Sequence, residues 1–484
     1  MQKNRTTAIS YIILIVASTL FMLFFAYNTS PFSQYLGVDS GMYLVIGKAM
    51  AQGEPLYASL FDHKGPIIFI INMLPQLLME GTIGIWITEL CLITISASIL
   101  YKIANRNIGH PCSFCAPLVY IWITVTLFNG GNYTEEYSNF FCVISLFVFD
   151  KWQRDKTLSP SMIYILGLCL AFVTFLRPNN VALIVSVILF IGLYIIKKSR
   201  NSIKTVFIFG CLGLLTVTLP IMIYHLSMGT LYDMFYATFL HNINYCKVGI
   251  EAFRLIPNGN NQQLLCFFIA FGLIIVAMCI CYSSDEINMG NFIILSSTII
   301  SLAILISRRP FIYYWTLLAP LSSYSVVFII KFGMNSKKNS KAVIALLLIL
   351  PLMFLNSFLG TEVAEKKSYI MEYKRKAHQM YDVIPHDEKK DCFAFNMPSM
   401  FIYEVDLYTP CKYFTMQTWM AKTDPDIEKY CTYYVKENKP KWILSYFPIN
   451  NTNISSELSE IIMAEYTEVF NNNCGFLYRK AEGL

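Results

Sequence analysis

Charge is what this sequence has least of. Only 14% of its 484 residues are Asp, Glu, Lys or Arg, whereas 55% are hydrophobic. A soluble domain usually carries about 25% charged residues, so this chain cannot cover a water-exposed surface of its size. It also lacks a glycine-rich phosphate loop and any evident cytoplasmic nucleotide-binding domain, which argues against nucleotide-dependent chemistry. Cys112 and Cys115 have redox or metal spacing but no second pair and no histidine cluster, so they define neither kind of site. No internal repeat of interrupted helices is visible, the feature expected of a transporter built from two halves. Nor does an obvious small-residue cleavage site follow the first apolar run.

What fills the chain instead is a series of apolar stretches of about 16 to 24 residues, long enough to cross a hydrocarbon core of about 30 Å. Mean hydropathy is +0.50. The net charge of +6 does not point to nucleic acid, because the basic residues sit in short clusters between apolar runs. They are Lys102 and Arg106; Lys151, Arg154 and Lys156; Lys197, Lys198, Arg200 and Lys204; and a loop ending at Lys341. Placed on the cytoplasmic side, as positive loops are, these clusters thread a chain of about eleven spans, with the N-terminus inside and the C-terminus outside. The first span is 8–27 and is retained; the last is 342–358.

Two segments of the first outer loop, 42–52 and 66–80, have helical patterning but suit helices lying along the interface or re-entering better than full spans. The domain boundary falls near residue 360. Residues 1–360 form the transmembrane part, with the first outer loop at 28–82, and 361–484 form an extracytoplasmic tail. That tail starts with a charged helical stretch, 362–382. The short apolar runs that follow (392–396, 400–403, 442–446, 476–478) suggest a small α/β domain. Cys392, Cys411, Cys431 and Cys474 lie there; an oxidising compartment would permit a disulfide, whose pairing the sequence does not reveal.

On this threading the unusual polar residues gather on the outer side. Asp39, Asp62, His63 and Lys64 come from the first loop, Glu135 and Glu136 from the second, Arg177 with Asn179 and Asn180 from the third, His241 from the fourth, and Arg308 and Arg309 from the fifth. Carboxylates beside cations suit one chemistry well: a base acts on an acceptor hydroxyl while cations stabilise a departing phosphate. Each of these residues taken alone also fits the plainer role of an interfacial anchor. Glu89 lies inside a span and is a functional candidate by position, with a helix-interface pairing as the alternative. Tyr313, Tyr314 and Trp315 read as an aromatic belt.

The motifs Asp39-Ser40, Gly53-Glu54-Pro55-Leu56-Tyr57 and Phe61-Asp62-His63-Lys64-Gly65-Pro66 resemble the first loop of the bacterial GT-C membrane glycosyltransferases, the class of the protein O-mannosyltransferases and the lipid A aminoarabinose transferase. Residues 129–136 and 177–179 are similar to later segments of such proteins. The resemblance implies a polytopic α-helical GT-C-like membrane fold with a small C-terminal α/β domain. It also implies a polyprenyl-phosphate-linked sugar donor, an envelope glycan, lipid or protein acceptor, and a site on the outer face of a bacterial cytoplasmic membrane. Asp39 takes the position of the base and Lys64 that of the group engaging the lipid phosphate, helped by Arg177, Arg308 or Arg309. Glu135 or Glu136 would position the acceptor or a divalent ion. Many relatives carry a histidine between a late arginine and a tyrosine. Here Arg308 and Arg309 are followed by Tyr313 and Tyr314 without it, so the sequence leaves a metal undecided. The rival readings are a flippase for lipid-linked glycans and a non-catalytic envelope scaffold.

Overall fold

Proline and glycine punctuate the apolar runs and set where helices begin and end. In the computed structural model the described residues are 2–198, 203–247, 255–282, 286–306, 311–334, 361–407, 410–414, 420, 424–450 and 456–481. The expected last span, 342–358, lies outside them. Helices α1 (Gln2–Phe25), α2 (Val38–Ala51), α3 (Pro66–Gln76), α4 (Ile83–Ile108), α5 (Cys115–Leu127), α6 (Thr134–Asp155), α7 (Pro160–Leu176), α8 (Ala182–Lys198) and α9 (Ile203–Ser227) follow in order. Pro66 and Pro160 open α3 and α7, at the turn where a missing N–H breaks no helical bond. After two short helices, α10 (Leu231–Phe235) and α11 (His241–Lys247), come α12 (Asn261–Tyr282), α13 (Glu286–Ile306) and α14 (Leu318–Met334).

Among the described residues seven helices are long and apolar enough to cross a membrane: Thr7–Phe25, Ile83–Ile108, Pro178–Lys198, Ile203–Ser227, Asn261–Tyr282, Asn288–Ile306 and Ile312–Met334. The shorter apolar helices α5 and α7 and the more polar α6 occupy the places expected for the remaining spans. The chain is a multi-pass helical membrane protein.

Its residues form two compact units. One comprises Met1–Phe32, Ile83–Ile223 and Glu251–Val363; the other comprises Ser33–Thr82, Tyr224–Ile250 and Ala364–Leu484. The membrane unit is built around α5, nearly every residue of which is buried. A helix apolar on all sides must be enclosed by others, and α1, α4, α12 and α14 surround it. Small hydroxyl residues allow close helix approach there, as in membrane proteins generally. Ser323 Oγ donates to the Ala116 carbonyl (2.8 Å) and Ser322 Oγ to that of Ala270 (3.1 Å). Tyr314 and Trp315 are buried in this unit rather than set in a lipid-facing belt.

In the second unit the tail opens with α15 (Thr361–Tyr381). Strands β1 (Cys392–Phe395), β2 (Trp442–Ser445), β3 (Tyr466–Asn472) and β4 (Gly475–Lys480) then build one sheet of order β1-β2-β4-β3. β1 and β2 pair in parallel, which demands a crossover, supplied by α16 (Ser399–Glu404) and α17 (Pro425–Asn438). The apolar run 400–403 therefore belongs to a helix and not to a strand. Pro398 starts its turn, and the chain leaves it at Asp406, where φ is 49°. The first-loop helices α2 and α3 belong to this same unit. They cross so closely that a Cβ at Gly47 would lie 2.7 Å from the Asn72 backbone. Cys411 and Cys431 are both buried in the tail, and both are free.

Candidate functional site

The first-loop cluster is assembled by its own local geometry. Asp39 stands in the first turn of α2, where the helix dipole favours a carboxylate. Asp62 Oδ1 accepts the Lys64 backbone N–H at 2.9 Å, the turn an aspartate makes two residues ahead of its partner. That turn folds Asp62, His63 and Lys64 back on one another. Lys64 Nζ lies 2.9 Å from His63 Nε2. An ammonium can only donate, so Nε2 accepts and the His63 proton is on Nδ1, which faces Asp62 Oδ1 at 3.6 Å. The result is a row of Asp62, His63 and Lys64, all buried, with Lys64 only 4% exposed.

Neighbouring segments hold this row in place. Tyr57 O–H donates to the Lys64 carbonyl (2.6 Å) and Asn242 Nδ2 to that of His63 (2.8 Å). The Phe61 N–H donates to the Lys412 carbonyl (3.0 Å), which ties the loop to the tail. The His241 ring lies 5.7 Å from that of His63. Burial raises the Asp62 carboxyl above its usual range; the Lys64 charge opposes the shift and the Asp39 charge adds to it. Burial, with Lys64 adding to the effect, lowers the His241 imidazole to about 4.

That shift has a consequence for stability. The folded chain keeps His241 neutral while the unfolded chain protonates it below its ordinary value of about 6.5. The folded state thus binds fewer protons between about 6.5 and 4, and its stability falls as pH drops through that window. Thermal unfolding of the detergent-solubilised chain should show this slope, and His241→Phe should flatten it. An unchanged slope in that variant would assign the acid sensitivity to other groups.

The membrane unit holds a second polar cluster. Glu135 and Glu136 lie in the first turn of α6. Glu135 Oε1 pairs with Arg177 Nη1 at 2.6 Å and its Oε2 accepts from Thr134 Oγ1 at 3.0 Å. The Arg177 guanidinium stacks 4.0 Å above the Tyr314 ring, while Tyr133 and Tyr313 stack at 4.3 Å. A carboxylate held at both oxygens by a hydroxyl and an arginine is oriented as well as neutralised. Glu136 is buried, as is Glu89.

Glu89 also receives hydrogen bonds from Thr29 Oγ1 and the Asn132 backbone N–H, so this intramembrane carboxyl pins the loop ahead of α6. That loop, Asn129-Gly130-Gly131-Asn132, has φ between 53° and 93° at all four residues, a conformation that strongly favours glycine and asparagine. Asn28 binds it through both its side chain and its backbone N–H. A Cβ at Gly131 would come within 2.6 Å of Glu89 Oε1. Gly131→Ala should therefore destabilise by more than the ~1–2 kcal/mol of left-handed strain alone, seen as a lower Tm. An unchanged Tm would show that the loop relaxes.

Of the expected site residues, Asp39, Asp62, His63 and Lys64 lie together in one unit, and Glu135, Glu136 and Arg177 lie together in the other. Arg308 and Arg309 are outside the described residues. Among the described residues no group of three or more His, Cys, Asp or Glu is placed to hold a metal ion. Tyr57 and Asn242 were not among the residues singled out from the sequence. Only the G-x-P-L-Y motif hinted at Tyr57, and nothing marked Asn242.

The sequence model of the competence-induced protein Ccs4 N-terminal domain matches residues 1–343. No curated protein matches the chain. Among solved structures it is similar to ArnT from Cupriavidus metallidurans bound to undecaprenyl phosphate, at 11% identity and a TM-score of 0.63, covering 98% of each chain. It is also similar to the oligosaccharyltransferase AglB from Archaeoglobus fulgidus in complex with an inhibitory peptide and a dolichol-phosphate, at 12% identity and a TM-score of 0.51, covering 99% of this chain and 75% of that one. Identities this low speak for the fold, and the fold is that of the GT-C class, as the first-loop motifs implied.

Proposed function

We propose that this chain, which belongs to the competence-induced Ccs4 N-terminal domain family and has the GT-C fold, is a membrane glycosyltransferase that moves a sugar from a polyprenyl-phosphate donor to an acceptor hydroxyl. The observation that carries this reading is the first-loop cluster. A buried lysine is aligned by His63 and Asp62, and a second carboxylate, Asp39, opens a helix in the same unit. That the structural neighbours hold undecaprenyl phosphate and dolichol-phosphate supports a lipid-phosphate donor.

In the proposed reaction Asp39 takes the proton of the acceptor hydroxyl as its oxygen attacks the anomeric carbon of the sugar. The bond from that carbon to the phosphate oxygen breaks, inverting the centre. The electron pair leaves with the polyprenyl phosphate, whose charge Lys64 stabilises. Orientation follows the basic loops: the N-terminus is cytoplasmic and the tail extracytoplasmic, in a bacterial cytoplasmic membrane. Residues 361–484 form the tail domain and help close the acceptor side.

The test is mass spectrometry of envelope glycans from cells lacking the protein, complemented with wild type or Asp39→Asn. Loss of one sugar, restored by wild type alone, is the expected result. Equal rescue by both would remove Asp39 from the mechanism. Glycans left intact but trapped on their carrier lipid would favour a flippase.

A further inference from the structure

A cavity of about 310 Å³ opens within the unit that holds the first-loop cluster, and the chemistry proposed above makes no use of it. One wall is the face of α2 formed by Val45, Lys48, Ala49 and Gln52, spaced i, i+3, i+4 and i+7, so all four point the same way. The next segment of the first loop adds Glu54, Ala58, Ser59 and Leu60, and the tail supplies Tyr403 and Tyr430 opposite. The volume is at the small end of the ~300–1,000 Å³ found for ligand pockets.

The lining mixes groups in a way that selects among occupants. Its two cations are already matched: Lys48 Nζ is 2.8 Å from Asp406 Oδ1, and Lys412 Nζ is 2.6 Å from Asp233 Oδ1. A phosphate or carboxylate would have to displace those partners, so the cavity does not favour an anion. Glu54 Oε2 accepts from Ser59 Oγ at 2.6 Å, leaving its other oxygen, Gln52 and the lysine N–H groups to meet hydroxyls. Apolar walls and the tyrosine rings suit the C–H faces of a ring that is polar only at its edge. That combination describes a neutral sugar.

We propose that this cavity is an acceptor subsite for a neutral saccharide ring, one or more residues removed from the hydroxyl that is glycosylated. The proposal rests on the transferase reading above. Asp39 and Lys48 lie on one helix nine residues apart, about 13 Å at 1.5 Å per residue. That is the length of a short oligosaccharide rather than of a single ring. The acceptor is then a glycan chain gripped at a distance from its reacting end, and binding energy from the remote ring aligns the reacting hydroxyl.

The experiment uses the full chain with either Ala58→Trp, which fills the cavity from an exposed position, or Gln52→Ala with Tyr403→Leu, which strips its polar and aromatic contacts. Each is expressed in cells lacking the protein and read by envelope-glycan mass spectrometry. Undecaprenyl phosphate binding and Tm are measured on the purified variants. Both variants should lower incorporation of the sugar at least tenfold, with undecaprenyl phosphate affinity and Tm as in wild type. If one loses its folded transition, the other decides. Full incorporation by a folded variant overturns the subsite and leaves the transfer reading intact. A wild type that restores no sugar overturns the transfer reading and the subsite with it. Recovery of the sugar on a polypeptide instead of a glycan overturns the saccharide occupant.

Discussion

Asparagine in place of Asp39 should lower the rate of sugar transfer by about 10²–10⁴-fold, the usual worth of a general base, while leaving undecaprenyl phosphate bound as before. The substitution keeps the shape of the side chain and its ability to accept a hydrogen bond, and removes its basicity and its charge. Its structural cost is small, because Asp39 is partly exposed in the first turn of α2. There the lost charge–dipole interaction is worth about 0.3–1 kcal/mol. Single-turnover transfer and thermal unfolding on the same preparation separate the two effects. A rate within threefold of wild type would rule out the base assignment. A large fall in Tm would instead mean that Asp39 holds the loop together.

Lys64→Met is the second large effect. Methionine matches the length of the aliphatic stem but donates no hydrogen bond, so the leaving phosphate loses its partner. By analogy with removing one donor to a developing anion, the rate should fall by about 10²–10³-fold, and undecaprenyl phosphate should bind more weakly as well. A purely structural role predicts a different signature. Because the Lys64 charge helps to depress the His241 imidazole, removing it should raise that group back towards its ordinary value. The pH window in which stability is lost on acidification should then narrow from its acid end. A variant that narrows the window yet keeps full transfer would make Lys64 a neighbour of the chemistry and not a participant. Lys64→Arg should not rescue: the site beside His63 is buried, and a planar guanidinium does not replace a compact ammonium.

How much of this was legible in the chain depended on the range of the interactions. The α2 and α3 helices, the charged start of the tail and strands β1, β2 and β4 follow from local patterning, because each is announced by its own apolar spacing or by a proline. The run at 400–403 has no such local mark. Four apolar residues cannot reveal that Pro398 turns them into a helix that packs on α2, where Ser399 Oγ donates to the Val38 carbonyl at 2.9 Å. Strand β3 was invisible because its residues are mostly exposed and polar; only its pairing with β4 makes it a strand. The first-loop motif pointed to Asp39 and Lys64, and sequence adjacency alone put Asp62, His63 and Lys64 together. Glu89 stood out as a carboxyl inside a span, but its partners are 43 and 60 positions away. Such contacts are decided by packing. An aromatic near a span end is usually a belt residue, and the stacking of Tyr314 under Arg177 follows only from the fold.

Glu89 makes one further behaviour measurable. A single carboxyl receives one bond from the turn after α1, through Thr29, and another from the backbone ahead of α6, through Asn132, while itself belonging to α4. Three stretches distant in sequence are thus knotted at one point, and the Asn132 amide has its acceptor inside that knot. Its hydrogen is replaced by deuterium only when the loop ahead of α6 parts from Glu89 inside the buried unit. In native-state exchange, Asn132 should therefore rank with the slowest amides of the chain, although it sits in a glycine-rich turn, where amides normally exchange first. Its exchange rate then reports how firmly this end of the membrane unit is closed.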